Sequence, residues 1–576
     1  SNTQSSSKTY SYFEDEVTKQ VINDLMNIKG YTKTQAQNLL YSGGLKIMTT
    51  QDPDIQNIVD EEYSDPSNYP DYVQYALDYA LTVKQPDGQE VNYSKEMMKL
   101  YFQNEDPSFD LLFDSQDEGQ TYVDRYKANI LADGSTVVAE RVSFAPQPQS
   151  AMTIIDQHTG YVKAIIGGRG TKTASLTLNR ATDSTRQPGS TFKIVSTYAA
   201  ALNEKGMTLA TTYEDQPITY DNGAPVNNAS GSFNGTTTIR TAIRNSVNTV
   251  AVQCFEDVTP ELGLKYLDNF GFTTLAHGTE ADTDANGNVY TDANLPTALG
   301  GLTYGVKNVE LCAAYAAIAN GGNYIKPVYY TKILDHNGNV LIENNSVGRS
   351  VIKETTAYLL TSALEDVVQN GTGTACQLDN MAVAGKTGTT DAYNDLWFVG
   401  YTPYYTCAVW SGYDGNQKIP EGDARNFHKT LWRKVMNRIH QGMEYKDFEV
   451  PDGIEQISIC ADTGLLPRVG CPVTEEYFDV GTMPTEYCDQ HFYEYDESQD
   501  EDMEISDENA TPTPDPENPD GTDNADGSGG DGTGGDGTGG DGIGGDGTGG
   551  DGTGGGDIQY PDESGGDSGN DDIYYY

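Results

Sequence analysis

Residues 186–193 read RQPGSTFK: a small hydroxyl stands three residues ahead of a lysine, straight after a proline and a glycine. Pro188 and Gly189 interrupt the preceding segment, and the stretch that follows, STFKIVSTYAAALNEKG, carries the small and apolar spacing of a buried helix. Ser190 then opens the helix, with Lys193 one turn along the same face. Spacing alone decides little, because Ser-x-x-Lys arises by chance roughly once or twice in a chain of this size, and Ser5 to Lys8 is a second match in a polar end. A plain helix cap would use the Ser190 hydroxyl and let Lys193 reach outward. A capping box, however, wants Glu or Gln at that third position, and a cation near the positive end of the helix dipole is unfavourable. Chemistry accounts for the lysine better. A serine hydroxyl is a weak nucleophile until a base removes its proton, and a lysine can do so only when neutral. Lowering a lysine pKa from about 10.4 to about 7 takes roughly 4.6 kcal/mol, which burial, a helix N-terminus and a second nearby cation supply. The stretch therefore predicts another positive charge from elsewhere in the chain.

Lys386-Thr387-Gly388, within AVAGKTGTTDAYND, offers that charge and occurs once. Alternating small and apolar residues before it predict a strand, in which Gly388 clears a side chain from the approach of another backbone. An extended peptide could lie along this strand, its carboxylate meeting the hydroxyls of Thr387 and Thr389. An ordinary strand-to-turn junction is the plainer alternative. The third element is Ser246-Val247-Asn248, within TIRTAIRNSVNTVAVQCF. Ser232-Phe233-Asn234 and Ser568-Gly569-Asn570 share its pattern but lie in loop-like and tail sequence, whereas Ser246 sits between two apolar-periodic stretches. Residues two apart in a continuous helix face different ways. Ser246 and Asn248 can serve one cleft only if two helices meet there in an elbow, Ser246 passing a proton and Asn248 holding a peptide amide.

The chain has 576 residues and a formal net charge of -51, too long for one compact core. Residues 490–576 hold 25 acidic and no basic residues, so positions 1–489 carry the remaining -26. An acidic body argues against a nucleic-acid backbone as partner. No apolar run approaches the roughly 18 residues that span a bilayer, and the start SNTQSSSKTY lacks a signal-peptide pattern. Cys254, Cys312, Cys376 and Cys407 sit in apolar surroundings and read as buried small hydrophobes. Cys460, Cys471 and Cys488 crowd a loop-rich stretch where one disulfide is possible and one thiol is left over. Their spacings match no zinc pattern, so no metal ligand is assigned.

Five segments follow from composition. Residues 1–50 are a linker with helical spacing, and 51–149 a small α+β region. The main domain runs over 150–445, opening with a hairpin signal at SAMTIIDQHTGYVKAIIGG, with Gly160 in the turn. A small Cys-containing module covers 446–498. Residues 499–576, with GGDGT repeating every five residues, have too few apolar side chains to fold and read as a disordered acidic tail. A calcium-binding β-roll would need a longer repeat with a regular apolar position.

The three motifs in this order form the signature shared by penicillin-binding proteins and class A β-lactamases. The blocks NRATDSTRQPGSTFK, IRNSVNTVAVQ, LGGLTYGVKNVELCAAYAAIANGG, VVQNGTGTAC and AVAGKTGTTDAYNDLWFVGYTP resemble those of class A penicillin-binding proteins over about residues 150–445. The resemblance implies an α+β transpeptidase fold, an antiparallel sheet flanked by helices with a helical subdomain, and a D,D-transpeptidase that β-lactams acylate. Its substrate would be a peptidoglycan stem peptide ending in D-Ala-D-Ala, on the outer face of the bacterial cytoplasmic membrane. By the same resemblance Ser190 attacks, Lys193 takes its proton, Ser246 relays it and Lys386 supplies charge. Asn248 orients the substrate, Thr387, Gly388 and Thr389 form its binding strand, and the N–H groups of Ser190 and Thr389 make the oxyanion hole. No cofactor is implied. Class A members also carry a membrane anchor and a glycosyltransferase domain ahead of this linker, so a membrane-anchored parent is expected, and polymerase activity is not expected of this chain. A D,D-carboxypeptidase, a β-lactamase or a non-turnover β-lactam sensor would use the same triplet.

Overall fold

DLWFVGY and TCAVWSG are nearly continuous apolar runs, and each forms a strand buried along its whole length, Asp395–Tyr401 and Thr406–Gly412. Burial on both faces requires layers on either side. In the computed structural model, which describes residues 9–390 and 392–491, these strands lie inside a five-stranded antiparallel sheet. Its order is Ala384–Thr389, Asp395–Tyr401, Thr406–Gly412, Gln149–Asp156, Tyr161–Ile166. The last two strands are the hairpin expected at DQHTG, pairing Asp156 with Tyr161, and Gly160 turns with φ of 72°.

Alternation splits the sheet's side chains between two cores. Trp397, Val399, Tyr401, Ala408 and Trp410 join one, Phe398, Cys407, Val409, Met152 and Ile154 the other. The helices Asn308–Ala319 and Glu354–Asn370 cover the first face, and a helical subdomain of Ala199–Asn203, Ile239–Asn245, Asn248–Val258 and Pro260–Asn269 packs beyond them. Phe427–Ile439 and Pro53–Ser64 cover the second, where Trp432 meets Phe398 edge-on, ring centres 4.9 Å apart. Such a pair contributes about 0.5–1.5 kcal/mol beyond its buried area.

Contacts cross the residue-50 boundary drawn from composition. Ser11 caps the helix Tyr12–Asn27 through a capping box with Glu14, and Phe13, Val17, Val21 and Leu25 enter the main core. The strand Lys46–Thr49 pairs with Tyr330–Leu334. Downstream, Gln74–Lys84 pairs with Glu90–Ser94, Leu112–Phe113 and Thr136–Gln147. That sheet carries the helices Lys95–Gln103 and Gln116–Ile130 and encloses its own core around Leu81, Val83, Met98 and Val123.

The C-terminal hairpin pairs Ile454–Cys460 with Val473–Asp479. Arg240 docks it onto the main body, both guanidinium arms reaching the buried Glu476 at 2.6 Å. The Gly-Asp repeat, Ser5, Lys8 and the motif at Ser568 lie outside the described residues.

Candidate active site

The segment leading to Ser190 is held at every step. Arg186 exchanges backbone hydrogen bonds with Val306 at 2.9 and 2.8 Å, and its guanidinium stacks 4.7 Å over Trp410. The Gln187 side chain bonds both ways with the Leu302 backbone at 2.8 Å, and its carbonyl accepts from Trp397 Nε1 at 2.9 Å. A tight turn, Gly189–Thr191, follows. Lys193–Tyr198 then winds as a wide π-type helix before Ala199–Asn203 becomes regular. Sequence spacing predicted an ordinary helix; wide turns of this kind concentrate at functional sites. Ser190 is half-buried and caps nothing. Among the described residues its hydroxyl has no hydrogen-bond partner, while Thr191 Oγ1 donates to Pro188 O at 2.8 Å. The capping explanation for Ser190 therefore has no contact to support it.

Lys193 is fully buried. Its Nζ donates to Ser246 O at 2.7 Å and to Asn248 Oδ1 at 2.5 Å, and lies 3.2 Å from Ser246 Oγ. Both partners sit at an elbow. The helix Ile239–Asn245 ends at Ser246, which adopts the left-handed conformation (φ 56°, ψ 44°), and a new helix, Asn248–Val258, begins two residues on. That residue reverses the chain so that Ser246 and Asn248 face one lysine. Asp215, buried beneath the elbow, accepts from Thr249 Oγ1 at 2.6 Å and Asn228 Nδ2 at 2.7 Å. Asn228 Oδ1 in turn accepts the Asn248 N–H at 2.9 Å. Asn234, from the competing Ser232 motif, bonds the same Asp215 at 2.8 and 3.1 Å, so it braces the elbow.

The strand Ala384–Thr389 closes the site from the sheet edge. Lys386, fully buried, brings Nζ to 2.9 Å from Ser246 Oγ and 3.1 Å from Thr387 O. Burial pulls its pKa down to about 7. Two lysines from segments 193 residues apart in sequence thus meet on one serine hydroxyl. Gly388 lies against the turn before Ser190: a Cβ there would stand 2.6 Å from Pro188 O and 2.7 Å from Thr191 Cγ2. Gly189, at φ 54°, makes the reciprocal approach, a Cβ meeting Thr389 O at 2.7 Å. Gly388→Ala is expected to lose about 1–3 kcal/mol, read as a lower thermal midpoint. Thr389→Ala, on the exposed end of the strand, should stay within about 0.5 kcal/mol of the parent.

Sequence reasoning passed over Thr372, whose Oγ1 lies 2.7 Å from Thr387 Oγ1, although its block VVQNGTGTAC was in view. Asp215, Asn228 and Gln187 were also missed, because single polar residues carry no pattern until folding buries them. Among the described residues one group of side chains gathers closely enough to hold a metal ion. It comprises Cys460, Cys471, Cys488 and His491, around the C-terminal hairpin and away from the lysine pair.

A family model described as the penicillin-binding protein transpeptidase domain matches residues 150–437, and one described as the penicillin-binding protein 1A C-terminal domain matches 450–493. Penicillin-binding protein 1A of Clostridium tetani is 30% identical over 508 residues, covering 85% of this chain and 55% of its own length. That of Clostridium novyi is 35% identical over 364 residues, 60% of this chain and 40% of the relative. The chain spans about half the length of the curated relatives it matches. Among solved structures, penicillin-binding protein 1A from Haemophilus influenzae aligns with TM-score 0.58 at 20% identity, over 82% of this chain and 77% of that one. The PonA1 protein from Mycobacterium tuberculosis in complex with penicillin V aligns with TM-score 0.53 at 22% identity, over 76% and 96%. At such identities these likenesses establish the shared α+β transpeptidase fold.

Proposed function

From the premise that this chain belongs to the penicillin-binding protein transpeptidase family, we propose that it is a serine D,D-transpeptidase. It cross-links peptidoglycan stem peptides ending in D-Ala-D-Ala on the cell-wall side of the membrane, and β-lactams acylate it. One observation carries the reading: Lys193, three residues after a serine hydroxyl that caps no helix, converges with Lys386 on Ser246 Oγ.

Ser190 Oγ attacks the carbonyl of the penultimate D-Ala while neutral Lys193 takes its proton. The N–H groups of Ser190 and Thr389 receive the oxyanion, the kind of preorganised donor pair that lowers barriers most. The terminal carboxylate rests on the Thr387 and Thr389 hydroxyls near the Lys386 charge, and Asn248 meets the peptide amide. As the C–N bond breaks, the proton passes from Lys193 through Ser246 Oγ to the departing D-Ala nitrogen. Ser246 suits this step because its hydroxyl touches both lysines. An amine from a second stem then attacks the acyl carbonyl, its proton returns through the same chain to Ser190, and the cross-link is released.

Incubation with donor and acceptor stem peptides is expected to yield one free D-Ala per cross-linked dimer, followed by mass spectrometry. D-Ala release without dimer would make the protein a carboxypeptidase. Rapid hydrolysis of penicillin would make it a β-lactamase, and a permanent adduct with no D-Ala release a sensor.

A further inference from the structure

We propose that Cys460, Cys471, Cys488 and His491 bind one zinc ion in a structural site that closes the C-terminal module. Their four donor atoms all lie within 4.8 Å of one another. Cys460 Sγ and Cys488 Sγ stand 3.5 and 3.3 Å from His491 Nδ1. A tetrahedral zinc with sulfur at about 2.3 Å and nitrogen at about 2.0–2.1 Å places sulfur and nitrogen ligands about 3.5 Å apart. Three thiolates and one imidazole form a complete ligand set with no open position, the structural rather than the catalytic type. Three thiols cannot satisfy one another as disulfides, and all three are free.

The surroundings fit the ion as well as the ligands do. His491 Nε2 faces Asp462 Oδ2 at 3.1 Å, a carboxylate partner that keeps the proton on Nε2 and turns the Nδ1 lone pair inward, as ligating histidines require. Cys471 Sγ accepts the Arg468 N–H at 3.2 Å, which fixes the direction of its sulfur. Backbone bonds tie the supporting segments together: Ala461 N to Pro472 O and Cys488 N to Leu466 O, both 2.8 Å. Cys460 ends the first strand of the hairpin, Cys471 precedes the second, and Cys488 and His491 follow it.

The module needs such a closure. Among the described residues its own apolar cluster buries Ile459 and Phe478, against Ala210 of the main body, and small units with little core depend on disulfides or metals. Ten, sixteen and two residues separate the four ligands in sequence, which gives no zinc signature; strand pairing supplies the proximity that spacing lacks. Zinc binds each cysteine as the thiolate, so protons compete with the ion for these sulfurs and occupancy should fall as the medium is acidified.

The chain purified without chelator is expected to carry about one zinc per molecule by elemental mass spectrometry. Cys488→Ser and His491→Ala should each fall below about a tenth of that content, while Cys254→Ala, buried elsewhere, keeps it. If the variants misfold, the parent chain alone decides: a chelator should lower its thermal midpoint, zinc should restore it, and Co²⁺ in place of zinc should show the visible bands of a tetrahedral thiolate centre. A metal-free parent that takes up neither ion after reduction overturns the proposal. So does an intact mass two hydrogens below the reduced chain, with the loss mapped to two of these cysteines.

Discussion

Ser190→Ala should abolish covalent labelling by a fluorescent penicillin, while Ser5→Ala and Ser232→Ala label like the parent. Opening a β-lactam ring onto the protein needs an oxygen to form the ester, and the substitution removes that atom while leaving the half-buried turn in place. Losing the nucleophile of a comparable acyl-transfer site costs on the order of 10⁶ in rate, far below gel detection. Ser232 differs in kind: its hydroxyl bonds Ser230 Oγ at 3.2 Å, and the asparagine of its motif is engaged by Asp215. Ser246→Ala separates the two serine roles, because deleting a relay slows labelling and leaves the adduct mass on Ser190. Adduct formation at the parent rate in Ser190→Ala, mapped to another peptide, would overturn the assignment.

Much of this arrangement was legible in the sequence because it rests on local rules. The strand DLWFVGY, the turn at Gly160 and the elbow at Ser246 each follow from periodicity or from a reversal that two adjacent side chains demanded. Gly388 was read as room for another backbone, and Pro188 O fills that room. What stayed hidden depends on contacts between distant segments. No period in STFKIVSTY announces the wide helical turns of Lys193–Tyr198. Asp215 looks like any loop carboxylate until Thr249 and Asn228 close over it. The zinc ligands belong to the same class, their distances in space set by a hairpin register that spacing does not encode. The helix Tyr12–Asn27 reads as a leading element on amphipathic pattern alone, since the pattern names a buried face and not the surface that buries it.

Lys386→Met should make the protein more stable and at the same time slow its acylation by about 10²–10³. The Lys386 ammonium is fully buried, and its hydrogen bonds to Ser246 Oγ and Thr387 O are to neutral oxygens. Holding that ammonium in the core costs about 4–5 kcal/mol, the equivalent of a fall from about 10.4 to about 7, and the two lost hydrogen bonds offset about 1 kcal/mol each. The pH dependence has a definite sign. An unfolded chain titrates this lysine near 10.4; in the folded protein burial brings it to about 7. Below pH 7 both states hold the proton, and the native state bears the full cost of the buried cation. As the medium rises from pH 7 toward 10, the unfolded chain alone keeps the proton, so parent stability climbs. The advantage of Lys386→Met is therefore largest below pH 7 and shrinks by about 1.4 kcal/mol per pH unit above it. Denaturant midpoints of both chains at pH 6, 7.5 and 9 measure this, and a difference that stays flat, or a variant weaker at pH 6, would contradict it. At pH 6, where Lys386 carries its charge in the folded protein, acylation should fall by about 10²–10³, as for the loss of one charge-stabilising donor. A raised midpoint with acylation intact would remove Lys386 from the chemistry and leave its burial as the only property that the substitution tests.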